Sequence, residues 1–152
     1  MASPSTSTSI AEGLRSRAVT VRAFIEGLRP RQWVKNGFVF AALIFSRNLT
    51  DWRAAVTTAL AALVFCAVAS AAYLLNDVLD AEEDREHPLK RLRPVASGRL
   101  APGTAVVAAT LLAFAGLVTA WRLDHRFFLV AASYAALNAR WPSQTFRRNV
   151  ST

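Results

Sequence analysis

The sequence predicts an all-α protein, a polytopic bundle of transmembrane helices, and three observations carry that prediction. Hydrophobic residues make up 53% of the chain and its mean hydropathy is +0.28, high for a water-soluble fold that also holds 18 Lys and Arg. The apolar residues fall in blocks and not at amphipathic spacing. Most of the charge lies between those blocks, the segregation that a bilayer imposes.

Residues 1–18 open with Ser and Thr, lack the apolar core and small-residue cleavage site of a signal peptide, and are expected to form a disordered cytoplasmic tail. Over 19–28 the apolar Val19, Val21, Phe24, Ile25 and Leu28 interleave with Arg22 and Glu26 at helical spacing, which predicts a short helix on the membrane surface, closed by Arg29-Pro30. A first span is expected over about 33–49, with Trp33 and Lys35 as interfacial anchors, although its apolar centre is short for crossing.

The stretch 54–75 runs 22 residues without a charge and is the clearest span. Its alanines and Ser70 are small enough to let helices pack closely, or are plain apolar filler. Residues 76–102 hold six of the ten acidic residues, and Pro88, Pro94 and Pro102 rule out one continuous helix through the second half, so a helical extension followed by a loop is expected. A third span follows over about 104–121 and a fourth begins over about 127–138, giving a bundle truncated to three or four spans. The tail 139–152 is polar and without hydrophobic period; it reads as out-of-frame or truncated text.

Arg15, Arg17, Arg22, Arg29, Arg31 and Lys35 precede the first span, and Arg85, Lys90, Arg91, Arg93 and Arg99 lie between the second and third. The alternate loops hold only Arg47 and Arg53, then Arg122 and Arg126, so a multi-pass protein of the plasma membrane with a cytoplasmic N-terminus is expected. The net charge of +8 does not mark a nucleic-acid binder, because the basic residues flank hydrophobic stretches and form no single patch. Cys66, the one cysteine, sits inside an apolar run and reads as a packing residue.

The second span runs directly into Asn76, Asp77, Val78, Leu79, Asp80, Ala81, Glu82, Glu83 and Asp84, a pattern of the form NDxxDxxxD. If the helix continues, 100° per residue places Asp77, Asp80 and Asp84 within about 60° of arc. Carboxylates so crowded repel one another unless a cation neutralises them, and Mg²⁺, which takes hard oxygen ligands and shares them with substrate phosphates, suits best. A solvated acidic stretch paired to Arg85, Lys90 and Arg91 is the bland alternative; the position at the end of a span weighs against it. Glu82, Glu83 and Glu86 lie off this face or at its margin. Lys90, Arg91 and Arg93 supply opposite charge for phosphates, although positive-inside topology alone accounts for one or two of them. His87, beside a proline, reads as a loop residue, and Asn76 adds a neutral amide.

With these residues in view the chain resembles the UbiA-type intramembrane prenyltransferase superfamily, whose first aspartate motif Asn76, Asp77, Asp80 and Asp84 match position by position. Arg29-Pro30-Arg31-Gln32-Trp33-Val34-Lys35-Asn36 is similar to the RPxQWxKN stretch of its decaprenyl-phosphate phosphoribosyltransferase branch, as is the run from Asp84 to Pro94. The resemblance covers about residues 20–138 and implies Mg²⁺-dependent transfer of a 5-phosphoribosyl group from phosphoribosyl diphosphate to polyprenyl phosphate, in arabinan precursor synthesis for the cell wall. It implies metal-binding catalytic roles for Asp77, Asp80 and Asp84, substrate contacts for Lys35, Asn36, Asn76, Lys90, Arg91, Arg93 and Tyr73, membrane lipid as surroundings, and leaves homo-oligomerisation open. A prenyltransferase acting on an aromatic acceptor and a non-catalytic membrane fragment are the alternatives. The superfamily carries a second aspartate motif in its later half, so this stretch alone is expected to be inactive.

Overall fold

The computed structural model describes residues 6–45 and 50–140, and every regular element within them is helical. In chain order these are α1 (Thr6–Leu28), a 3-10 helix (Pro30–Phe38), α2 (Val39–Phe45), α3 (Trp52–Leu79), α4 (Ala81–Glu86), a 3-10 turn (Lys90–Leu92), α5 (Pro102–Leu123) and α6 (His125–Arg140). The all-α expectation holds. The remaining parts of the two expected tails, 1–5 and 141–152, lie outside the described residues.

Helix α1 departs from the expectation, because it begins at Thr6 and takes in most of the stretch read as a disordered tail. Ala11, Glu12, Leu14 and Arg15 are good helix formers and extend the periodic segment backwards. The helix expected over 19–28 lies within α1, where Val19, Val21 and Ile25 are exposed while Ala23 is fully buried.

Among the described residues two helices are long and apolar enough to cross a membrane, α3 with 28 residues and α5 with 22. Asp51 starts α3 by accepting a hydrogen bond from the Arg53 amide at 2.9 Å, and Pro102 starts α5 at its first turn, where no donor is missed. The expected first span is different. Its Pro30, Gly37 and polar Lys35-Asn36 give a nine-residue 3-10 helix and only seven α-helical residues beyond, while 46–49 lie outside the described residues. Helix α6 has 16 residues, about 24 Å at 1.5 Å each, short of a hydrocarbon core of about 30 Å. It runs to Arg140, two residues into the expected polar tail, and Asp124 caps it by accepting from the Arg126 and Phe127 amides at 2.6 and 3.1 Å.

Helix α3 is the hub, packed against α1, α2, α5 and α6. Toward its acidic end Ala71 and Leu74 meet Ala23, Val95, Leu100, Ala105 and Ala109. Toward the other end Val64 and Val68 meet Ala120 and Ala131, and Phe65 stands edge-on to Phe127 and Tyr134, with centroids 5.5 and 5.2 Å away. Small residues make this closeness real: a Cβ on Gly116 would lie 3.1 Å from Val68 Cγ2. Val107, Leu111 and Phe114 of α5 remain exposed.

Candidate functional site

The site forms where α3 meets the polar segment after it. Helix α3 ends at Leu79 and α4 begins at Ala81, with Asp80 at the break at φ −91° and ψ 2°. The expected continuous helix is therefore interrupted at one residue. Two bonds of the ladder flank the break, the Asp80 amide donating to the Asn76 carbonyl at 2.9 Å and the Asp84 amide to the Asp80 carbonyl at 2.8 Å. Seven residues on a helix return to within about 20° of the same direction, and so Asp77 and Asp84 face the same place.

Both are 1% exposed, an expensive setting for ionisable groups without partners. Arginines from two directions supply the countercharge. Arg29 Nη2 lies 2.6 Å from Asp77 Oδ1, and Arg93 Nη1 lies 2.7 Å from Asp84 Oδ2 and 3.6 Å from Asp77 Oδ1, bridging the pair. Lys90 Nζ is 4.0 Å from Asp84 Oδ1, yet that oxygen is buried and accepts no hydrogen bond.

Asp80, about 60° round from Asp77, is half-buried and enters no ion pair among the described residues. Nor do three His, Cys, Asp or Glu side chains converge to hold a metal by themselves among those residues. The expectation of three carboxylates gathered on one face is thus met by two of them. Hard carboxylate oxygens, one of them orphaned, still fit a Mg²⁺ ion that takes one or two carboxylates and completes its shell with phosphate oxygens and water.

The approach to Asp77 is built by a feature that sequence reading missed. Arg29 adopts left-handed backbone angles, φ 52° and ψ 56°, which cost a non-glycine residue about 1–2 kcal/mol. Ser70, 1% exposed, holds the corner: its Oγ donates to the Leu28 carbonyl at 2.9 Å and accepts from Trp33 Nε1 at 3.0 Å. The turn places the Arg29 guanidinium 4.8 Å over the Tyr73 ring and onto Asp77. The available signal was Arg29-Pro30 ahead of a tryptophan, read as a helix end, an interfacial anchor and part of the stretch resembling RPxQWxKN, with no role given to Arg29 itself.

The other expected substrate residues scatter. Asn36 Nδ2 donates to Cys66 Sγ at 3.4 Å, three turns and about 16 Å along α3 from Asp77, and Lys35 is exposed. Neither stands at the carboxylates. Asn76 is half-buried at the helix end, Tyr73 lies beneath Arg29, and Arg91 is exposed on the 3-10 turn between Lys90 and Leu92. His87 is the loop residue expected, its Nδ1 accepting from the Leu89 and Lys90 amides at 3.2 and 3.4 Å.

A second latch ties this loop to α1. Arg99 donates to Glu26 Oε2 at 2.6 Å, to the Leu92 carbonyl at 2.7 Å and to Ser97 Oγ at 3.1 Å. The hydrogen bond from Arg99, with its charge and that of Arg22, holds the Glu26 carboxyl below the usual glutamate range against a smaller opposing effect of desolvation.

Two long apolar helices, one of them ending at buried carboxylates paired with arginines, suit a helical membrane protein. Residues 37–142 match the UbiA prenyltransferase family, and the chain belongs to that family. Its relatives include a decaprenyl-phosphate phosphoribosyltransferase of Mycolicibacterium smegmatis, 42% identical over 123 residues, covering 77% of this chain and 38% of the relative. The nodulation protein NoeC of Azorhizobium caulinodans is 40% identical over 115 residues, 76% of this chain and 37% of its own. A digeranylgeranylglyceryl phosphate synthase of Hyperthermus butylicus is 31% identical over 144 residues, 86% of this chain and 45% of its own. The chain spans less than half the length of each of these curated relatives.

Proposed function

We propose that the chain supplies the diphosphate-binding part of a membrane phosphoribosyltransferase, which moves a 5-phosphoribosyl group from phosphoribosyl diphosphate to polyprenyl phosphate for cell-wall arabinan. The observation that carries this reading is the buried pair Asp77 and Asp84, two helical turns apart, with an orphaned Asp84 oxygen and two arginines at their mouth. A relative 42% identical over 123 residues bears the decaprenyl-phosphate phosphoribosyltransferase name.

In this reading Asp77 and Asp84 would hold Mg²⁺, with Asp80 alongside. Bound there, the ion would supply charge neutralisation for the departing diphosphate. Arg29, Arg93 and Lys90 bind the phosphate oxygens, with Arg91 at the rim, and Tyr73 orients the Arg29 guanidinium. Burial of the carboxylates excludes water from the metal-binding face. Lys35, Asn36 and Asn76 remain proposed substrate contacts; Asn36, held at Cys66 about 16 Å along α3 from Asp77, would meet a different part of the substrates. The protein sits in the plasma membrane with several passes and its N-terminus in the cytoplasm, as the basic segments on either side of the first two apolar stretches support.

A prenyltransferase reading is kept by the 31% relative named for synthesis of a digeranylgeranylglyceryl phosphate. A transfer assay on membranes carrying a full-length protein built on this segment separates the two. Consumption of phosphoribosyl diphosphate in the presence of polyprenyl phosphate, sensitive to Asp77→Asn, supports the proposal. Consumption of an isoprenyl diphosphate instead overturns it.

A further inference from the structure

Arg29 and Arg93 occupy a position that the proposed cation also needs. Arg93 bridges the two buried carboxylates, and Arg29 takes the Asp77 oxygen nearest to it. A divalent ion gripped by the same oxygens competes for them with the guanidinium groups, whose like charge it also meets at close range. We infer that Arg29 and Arg93 are exchangeable counter-ions, which neutralise Asp77 and Asp84 before a cation arrives and then turn to the diphosphate that arrives with it. The inference rests on the proposed diphosphate site and adds Arg29 to its binding residues.

Three features favour exchange over a fixed structural pair. The arginine side chains are 30% and 28% exposed while the aspartates are 1% exposed, so the cations stand at a wet mouth and only the anions are sealed in. Buried ion pairs gain little net stability, because desolvation offsets attraction, and their exchange for a better counter-ion is correspondingly easy. Arg29 also has somewhere to go: Tyr73 lies one turn before Asp77 with its ring 4.8 Å beneath the guanidinium, a platform that keeps the group near the site once Asp77 is taken. Asp84 Oδ1 is the one carboxylate oxygen of the cluster that is buried without a hydrogen bond, with only Lys90 Nζ near it at 4.0 Å, and so has coordination capacity left for a cation.

Exchange makes opposite demands on two binding equilibria, which a purely structural role for the arginines does not. The full chain in phospholipid nanodiscs is titrated with Mn²⁺, followed by electron paramagnetic resonance, and then with inorganic diphosphate at saturating Mn²⁺. Arg29→Gln and Arg93→Gln are expected to tighten Mn²⁺ binding about fivefold or more, since a competing cation is gone. The same variants should bind diphosphate about tenfold more weakly. Asp84→Asn placed on Arg93→Gln should abolish the gain.

Unchanged or weakened Mn²⁺ binding in folded variants, with wild-type binding intact, overturns the exchange and leaves the proposed function standing. Absence of Mn²⁺ binding in wild type and variants alike sinks both. Should Arg29→Gln fail to fold, Arg93→Gln decides the matter through the other carboxylate.

Discussion

Arg29 and Asp77, 48 residues apart in sequence, meet at 2.6 Å, and this contact joins the packing of Ala23 with Leu74 in fastening α1 to the acidic end of α3. The bond depends on a left-handed turn at Arg29 that is held from below by Ser70.

Removing the cation leaves a buried anion short of a partner. Arg29→Ala is expected to destabilise the protein by about 2 kcal/mol, the range for a hydrogen bond to a charged group. The loss should shrink when Asp77→Asn is added, because the stranded charge is then gone. Thermal unfolding of the four proteins in detergent checks this cycle, and strictly additive losses would contradict it.

Ser70 serves two partners at once, the Leu28 carbonyl and the Trp33 indole. Ser70→Ala should cost about 1–3 kcal/mol, since buried groups are left unsatisfied. It should also shift the emission of Trp33, read in a protein whose other tryptophans are replaced by phenylalanine. Unchanged emission would show that the corner does not need Ser70.

The α3–α5 contact has no room for a side chain at Gly116, where a Cβ would stand 3.1 Å from Val68 Cγ2 and 3.6 Å from the Val64 carbonyl. Gly116→Leu is expected to lower stability by about 1–3 kcal/mol through overpacking, whereas Gly103→Leu, where a Cβ meets nothing within 4 Å, should have little effect. Unfolding temperatures of the two variants make the comparison.

The Glu26–Arg99 latch carries a pH dependence of definite sign. Arg99 holds the folded-state pKa of Glu26 below its unfolded value, so the stabilisation is present above the unfolded value and is lost as pH falls through the folded one. Acidification through and below the usual glutamate range should therefore raise the protease sensitivity of α1, and Glu26→Gln should remove that part of the response. A Glu26→Gln protein with the wild-type acid profile would contradict the latch.

Much of this architecture was legible because charge and hydropathy act locally. The uncharged run 54–75 could only be a long helix, and it lies within Trp52–Leu79. Helical spacing likewise put Asp77 and Asp84 about 20° apart and Asp80 about 60° away from Asp77; the first pair converges and Asp80 does not. The break at Asp80 left no mark in the residue pattern, because Ala81, Glu82 and Glu83 all favour helix. Least visible was the 3-10 stretch Pro30–Phe38, whose conformation depends on tertiary bonds to Ser70 and Cys66 made 37 and 30 residues later. Those bonds seat Trp33 and Asn36 on α3, and the corner that Ser70 holds brings Arg29 to Asp77. Local propensity contains no information about partners so distant.

Equilibrium binding of phosphoribosyl diphosphate to nanodisc-embedded protein, with Mg²⁺ and under chelation, bears most directly on the central claim. The wild-type chain should bind the donor only when Mg²⁺ is present, and a chain carrying Asp77→Asn, Asp80→Asn and Asp84→Asn together should lose that binding. Equal retention of the donor by the neutralised chain, or by the wild type in full chelator, would contradict the account.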